Sequence, residues 1–481
     1  MTSVRKKIAL QFIVSNLAII ANFALSIILA RLLTPEEIGI FSMSAVLIAV
    51  AHVFRDFGVT AFIKREKELT PATIRAAVGV LVTTSWTVAA LMFASAGHWA
   101  GFFNEPRVAD VVRVLAIGFV FIPFGAIPSA ILVRRMAVNK TTQVTAISTT
   151  VYFATSVTLA QLDFGYMTMA WANLVNIIVT GLAYHWALGE RLPWLPSFSG
   201  WRRMVHFGAG NLITALLKAA DNALPDVMLG RMKSADAVGL YSRANSTVNM
   251  AGTALSSTIN YFAMPYMARL HHATGAIDQE YLRATSLINA VLLPALAMVA
   301  VLAHDIVLLL YGSAWLGSVE AIPWLCLAYG VSSLFTLTTP ALIAIGKPYA
   351  AIVPLALVLL GKVGFALLLF DGSLSSFAHA MALGQLVGIP LYVYIARRHL
   401  GVGVRAWLHS TVRLVALGLG VGLAGYMLRQ YLPQDTGPTL AIGVASLSAA
   451  VAYWFGCLIL NLPIYQEMLR IQKMIRTKIK S

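Results

Sequence analysis

Apolar segments of about 20 residues recur almost end to end along this 481-residue chain, and that is the length a helix needs to cross the hydrocarbon core of a bilayer. A window of that size places fourteen of them, at residues 11–31, 38–63, 74–96, 108–132, 142–161, 166–187, 211–229, 238–267, 281–309, 321–345, 349–370, 375–396, 412–429 and 440–460. With 59% hydrophobic and only 11% charged residues, the chain is too apolar for a soluble protein. It is expected to be an all-α integral membrane protein of about fourteen transmembrane helices.

The segments fall into two sets of six and a final pair, and a repeat marks the first two sets. Residues 29–42 read L-A-R-L-L-T-P-E-E-I-G-I-F-S and residues 229–242 read L-G-R-M-K-S-A-D-A-V-G-L-Y-S. Arg31 and Arg231, Gly39 and Gly239, Phe41 and Tyr241, and Ser42 and Ser242 share one register, as in an internal duplication. Each copy can also start a helix. Thr34 is an N-cap with Pro35 in the first turn and Glu37 placed for a capping box, and Ser234 and Asp236 repeat the cap and the acidic turn. Duplication inside a membrane protein points to a two-lobed, rocking transporter. The expected divisions are a lobe at 1–188, an amphipathic linker at 189–207 carrying Trp194, Trp201, Arg202 and Arg203, a second lobe at 208–400, an additional pair at 401–462, and a basic tail at 463–481. In the additional pair, Gly418 and Gly422 have the small-xxx-small spacing that lets helices approach closely.

Charge is strongly biased, with 35 Lys and Arg against 19 Asp and Glu. About 25 of the basic residues fall on one predicted side if the amino terminus lies inside. Only Arg31, Arg107, Arg113, Arg231, Lys233 and Arg429 fall on the other. The positive charge is therefore a topology signal placing both termini in the cytoplasm, and no nucleic-acid partner is expected. The basic start followed by an apolar run reads as an uncleaved first helix, because the run exceeds 20 residues and lacks an A-x-A site. Cys326 and Cys457 lie inside apolar spans and read as packing residues. No metal, cofactor or phosphate loop is indicated. The outer loops are short, the longest lying around residues 97–107, which leaves no room for an enzyme's catalytic domain.

The first copy of the repeat is followed by F-R-D-F-G at 54–58 and K-R-E-K-E-L-T at 64–70. Further on come Y-G-S-A-W-L-G at 311–317 and T-P-A-L-I-A-I-G-K-P at 339–348. Together these resemble bacterial polysaccharide exporters of the Wzx type, in the polysaccharide transporter family of the superfamily that also holds multidrug extruders and lipid II flippases. The variant with R-D-F-G looks most like the colanic-acid and exopolysaccharide group. The resemblance implies two pseudo-symmetric six-helix bundles in a V around a central cavity, with two C-terminal helices added. It implies a monomer in the bacterial inner membrane, working beside polysaccharide polymerase and export proteins in exopolysaccharide, capsule or lipopolysaccharide biosynthesis. Its cargo would be an oligosaccharide repeat unit on undecaprenyl pyrophosphate, flipped from the inner to the outer leaflet by alternating access. A cation-coupled multidrug extruder of the same superfamily is the alternative, though its cavity should favour acidic residues. A membrane polysaccharide polymerase or ligase would need a larger outside loop.

A charge held within a membrane span is costly and usually faces a cavity or a partner. Arg55, Lys218, Arg243 and Lys362 are the basic residues left inside spans and are the candidates for lining a cavity that takes a pyrophosphate, Arg as a bidentate fork and Lys as a point charge. Lys218, Asp221, Asn222 and Pro225 share one helical face, with Asp226 beside them. That group reads either as a switchable ion pair, proton or sodium site or as a static salt bridge. Arg55 with Asp56 reads as cavity lining or as a snorkelling Arg beside its counter-ion. Arg243 reads as cavity lining at another depth or as a bridge, and Lys362, between Gly361 and Gly364, lacks an acid nearby in sequence. His52, His304 and His379 carry no ligand spacing and read as core or interface histidines.

Overall fold

The computed structural model describes residues 2–56, 59–66, 68–197, 212–274, 276–433 and 436–465, and within them every regular element is a helix. The side chain of Asp56, the residues Phe57, Gly58, Trp201, Arg202 and Arg203, and most of the basic tail lie outside the described residues. The first seven α-helices are α1 (Thr2–Leu32), α2 (Pro35–Asp56), α3 (Val59–Arg65), α4 (Pro71–Phe103), α5 (Arg107–Arg134), α6 (Val138–Gln161) and α7 (Thr168–Leu188). Next come α8 (Leu212–Met232), α9 (Ala235–Thr274), α10 (Asp278–Val301), α11 (Ala303–Leu310), α12 (Ile322–Ser333) and α13 (Thr338–Ala344). The last five are α14 (Ile352–Leu369), α15 (Leu374–Val387), α16 (Ile389–Leu400), α17 (Val404–Tyr431) and α18 (Pro438–Ile459).

Ten helical stretches among the described residues are long and apolar enough to cross a membrane. Outside those ten stand α1, α6, α8 and α9, with 31, 24, 21 and 40 residues, so the chain is a multi-pass membrane protein and the expected fourteen spans each have a helix. Several spans are broken where one continuous helix is expected. Residues 281–309 divide into α10 and α11, 321–345 into α12 and α13, and 375–396 into α15 and α16. Proline explains the last two restarts: Pro340 stands in the first turn of α13 and Pro390 in the first turn of α16, where a missing amide hydrogen costs nothing. In α11 it is Asp305 that occupies the first turn, favoured there by the positive helix end.

The chain divides into two compact units, Met1–Ser242 and Arg243–Ser481, so α9 begins in the first unit and continues in the second. In the first unit, α5 packs between α4 and α7, α6 joins α7 to α1, and α2 lies against α5 and α8. Val59, Ile63, Leu81 and Ile127 form a core with no more than traces of exposure, and Trp194 packs against it. Residues 191–197 run without helix along this unit. Ser197 N–H donates to the Arg75 carbonyl at 3.0 Å, Arg75 Nε donates to the Leu195 carbonyl at 3.1 Å, and Arg135 grips Glu190 through two bonds of 2.6 and 2.9 Å.

In the second unit, α10 packs against α12 and α17, α14 against α15, and α17 against α18. Phe335 stacks on both Tyr392 and Trp407, with ring centroids 4.9 and 5.5 Å apart. The small-xxx-small face of α17 is used as its spacing suggests. A Cβ at Gly418 would stand 3.3 Å from Leu293 Cβ, and one at Gly422 would stand 3.1 Å from Ala297 Cβ, so the glycines let α17 settle on α10. In the loop before α15, the Asp371 carboxylate accepts from Ser373 N–H at 2.8 Å and from Ser376 Oγ at 2.6 Å, which holds its pKa down to about 2.

Candidate functional site

The repeated turns fold as their caps dictate. Thr34 N–H donates to Glu37 Oε2 at 2.8 Å while Glu37 N–H donates to Thr34 Oγ1 at 3.3 Å, a reciprocal capping box. Ser234 Oγ accepts from Ala237 N–H at 3.3 Å. The two copies also meet. A Cβ added to Gly39 would overlap the Ala235 carbonyl oxygen, and a Cβ added to Gly239 would overlap the Pro35 carbonyl oxygen. Each helix therefore seats its glycine on the first turn of the other, a reciprocal crossing inside the first unit that only a side chain of hydrogen permits. Around it, Arg107 bridges Glu36 and Glu105, with Nε 2.7 Å from Glu105, and its guanidinium lies 5.9 Å from the Tyr166 ring. The Arg107 hydrogen bonds hold the Glu105 carboxyl, in the loop between α4 and α5, below its ordinary pKa. Arg231 lies 5.9 Å over the Phe102 ring.

From this crossing the neighbouring helices α2 and α8 run side by side. A Cβ at Gly230 on α8 would stand 2.6 Å from the sulfur of Met43 on α2, which fixes their register. Arg55 and Lys218 each lie twelve residues from that point toward the far end, about 18 Å along the helix for both at 1.5 Å per residue. These two candidates therefore lie on helices that touch each other. The Arg55 carbonyl accepts from Thr84 Oγ1 of α4 at 2.9 Å, which anchors the end of α2. Lys218 and Asn222 are exposed, whereas Asp221, Pro225 and Asp226 are half-buried. Tyr241 of the second repeat copy is buried. The polar face expected on α8 is graded, with Lys218 and Asn222 exposed and the two carboxylates half-buried.

Arg243 and Lys362 belong to the second unit. Arg243 is only 7% exposed and its guanidinium lies 5.4 Å from the Tyr311 ring and 5.2 Å from the Trp315 ring. Thr247 Oγ1 donates to the Arg243 carbonyl at 2.9 Å and to Tyr311 Oη at 3.3 Å. The Y-G-S-A-W turn thus supplies two rings that take one cation, an arrangement in which Arg stacks better than Lys. Lys362 is half-buried on α14, and its backbone would lie 2.5 Å from a Cβ at Gly384, so that glycine sets the close packing of α14 on α15. Two of the three histidines have aromatic neighbours. His52 lies 5.2 Å from Phe119, and His379 stacks on Trp324 at 4.2 Å.

One charged pair is not foreseen from the sequence. Asp305 is 4% exposed, and Arg429 grips it through Nε at 2.9 Å and Nη2 at 3.2 Å, tying α17 to α11. The signal available in sequence is an acid inside the apolar run at 281–309. Its partner stands 124 residues further on, where it reads as a loop cation.

This helix arrangement is that of known multi-pass transporters. It superposes on the lipid II flippase MurJ in an inward closed conformation with a TM-score of 0.77 at 10% identity, covering 96% of this chain and all of that one. It also matches an inward-facing MATE-family multidrug resistance transporter of the MOP superfamily, with a TM-score of 0.63 at 14% identity over 79% of this chain and 94% of that one. Residues 28–320 match the polysaccharide biosynthesis protein family, and the chain belongs to that family. Its relatives include the lipopolysaccharide biosynthesis protein WzxC of Escherichia coli (strain K12), 23% identical over 62% of this chain and 61% of the relative. The teichuronic acid biosynthesis protein TuaB of Bacillus subtilis (strain 168) is 22% identical over 91% of this chain and 90% of its own length. The succinoglycan biosynthesis transport protein ExoT of Rhizobium meliloti (strain 1021) is 22% identical over 66% of this chain and 65% of the relative.

Proposed function

We propose that this protein flips oligosaccharide repeat units linked to undecaprenyl pyrophosphate from the inner to the outer leaflet of the bacterial plasma membrane, by alternating access between two lobes. The placement of two cations within spans, Arg55 and Lys218, on the touching helices α2 and α8 carries this reading. A pyrophosphate needs cationic contacts that do not chemically transform it, and a guanidinium fork and an ammonium supply them. In this account the protein moves its cargo and leaves its bonds intact. Asp221, Asn222 and Asp226 form the coupling group behind Lys218, while Lys362 adds a further cation in the second unit. Arg243, gripped by Tyr311 and Trp315, positions α9 and does not touch cargo. Both termini face the cytoplasm, the protein acts as a monomer, and polysaccharide polymerase and export proteins take up the delivered units.

Membership of the polysaccharide biosynthesis family and the MurJ-like helix arrangement support the reading. Its test is substitution at these two cations, Arg55 and Lys218. A hydrogen bond to a charged group contributes about 1.5–3 kcal/mol, so Lys218→Ala and Arg55→Ala are each expected to lower the initial flipping rate in proteoliposomes by about tenfold or more, with membrane insertion unchanged. Lys218→Arg is expected to retain most of the rate. Wild-type rates in both alanine variants would remove these residues from the cargo path.

A further inference from the structure

In the second unit two cation-forming side chains touch each other, and no ion pair to an acid is seen for either among the described residues. Lys347 Nζ lies 3.3 Å from His399 Nδ1. The fold puts them there deliberately. Helix α13 ends with Gly346 in the left-handed region at φ 75°, Gly346 N–H donating to the Ile343 carbonyl at 3.0 Å and Lys347 N–H to the Leu342 carbonyl at 2.8 Å. That is the paired hydrogen-bond pattern of a Schellman stop, and it delivers Lys347 to one place. The G-K-P of the 339–348 motif supplies the glycine, the cation and the proline that opens the next helical turn. His399 sits in the last turn of α16 beside Arg397 and Arg398, before Gly401 at φ 75°.

The charges acting on the His399 ring are both positive: Lys347 from the turn after α13 and Arg398 from its own helix. Desolvation, followed by these two charges, holds its pKa below the ordinary 6.5. The nearest acid placed by the packing is Asp278, whose Cβ would lie 3.9 Å from a Cβ at Gly401, past the end of α16. The helix terminus favours cations, yet here there are enough of them to suppress one another. An ammonium has no lone pair, so the Lys347–His399 contact requires an unprotonated Nδ1, and the pair is at rest only while the ring stays neutral. An anion reverses this: the ring takes up a proton, and ammonium and imidazolium then face the same oxygen atoms. The depth of the site suits a phosphate. Arg398 Nη1 donates to Tyr394 Oη at 2.8 Å, and Tyr394 and Tyr349 are 51% and 61% exposed, as are aromatic residues at a membrane–water boundary. Basic clusters at that boundary recognise phosphate-bearing headgroups.

We propose that Lys347 and His399, with Arg398 beside them, form a binding site for the phosphate of a lipid headgroup. The shared chemistry is a phosphate anchored in the membrane, from an anionic glycerophospholipid or from a polyprenyl pyrophosphate. The site rests on the function proposed above only for its assignment to the inner leaflet, and it stands or fails independently of flipping. The test is the His399 titration by NMR of histidine-labelled protein in nanodiscs, its signal assigned by its loss in His399→Gln. Nanodiscs of phosphatidylcholine alone are compared with ones containing phosphatidylglycerol or undecaprenyl pyrophosphate, for wild type and Lys347→Gln. Surface potential alone moves both proteins equally. Binding at the site is expected to raise the wild-type pKa by at least one unit more than the variant's, a tenfold or greater preference of the phosphate for the charged ring. An excess with phosphatidylglycerol alone identifies a resident phospholipid, one with the pyrophosphate alone identifies a loading site, and one with both identifies a site for phosphate as such. Equal shifts in wild type and Lys347→Gln in every membrane would overturn the proposal.

Discussion

Replacing Gly39 by leucine is expected to abolish the close crossing of the two repeat copies and to reduce flipping by more than tenfold. The obstacle is backbone. The new Cβ would overlap the Ala235 carbonyl oxygen, which cannot swing aside as a side chain would, so the first turns of α2 and α9 must separate. Overpacking a well-fitted site costs about 1–3 kcal/mol where side chains can adjust, and a rigid carbonyl places this site at the upper end or beyond. Gly239→Leu should behave alike, because its Cβ meets the Pro35 carbonyl in the same way. The control lies nearby on α4: nothing stands within 4 Å of a Cβ at Gly97, so Gly97→Leu should leave both thermal stability in detergent and flipping near wild type. If all three variants behaved alike, the crossing would have no special role.

The second large effect belongs to the Asp305–Arg429 pair. Arg429→Ala is expected to lower stability by about 3–5 kcal/mol, since it leaves a buried carboxylate uncompensated. The change should appear as a markedly lower midpoint of thermal unfolding in detergent, with loss of the attachment of α17 to α11. Replacing both partners, Asp305→Leu with Arg429→Met, removes the desolvation cost along with the attraction and should recover most of that loss. A double variant no more stable than Arg429→Ala would show that the fork itself, and not merely the absence of a stranded charge, holds α17 in place.

These two features also mark what was readable in the sequence. The spans, the caps at Thr34 and Ser234, and the small-residue face of Gly418 and Gly422 are local or periodic, so the order of residues along one helix reveals them. The shared register of Gly39 and Gly239 suggests duplication, but periodicity cannot say which helix stands opposite, and here each glycine faces the other copy. Asp305 and Arg429 are joined across 124 residues, a distance over which sequence pattern carries no pairing information. Arg243 looks like any other cation within a span until the fold brings Tyr311 and Trp315 around it. Lys218 and Asn222 could be placed on one helical face from their spacing, whereas that this helix stands against the one carrying Arg55 is visible only in the Gly230–Met43 contact. Breaks at 302, 334–337 and 388 escape a hydropathy window because the residues on either side are equally apolar.

Flipping of a lipid-linked sugar is tested most directly by reconstituting the purified protein in proteoliposomes with a fluorescent oligosaccharide on undecaprenyl pyrophosphate, measured beside a cationic dye. Transbilayer movement of the lipid-linked sugar is expected well above the protein-free rate, about tenfold slower in Lys218→Ala, with no transport of the dye. Dye transport together with sugar movement no faster than in protein-free vesicles would contradict flipping as the protein's function.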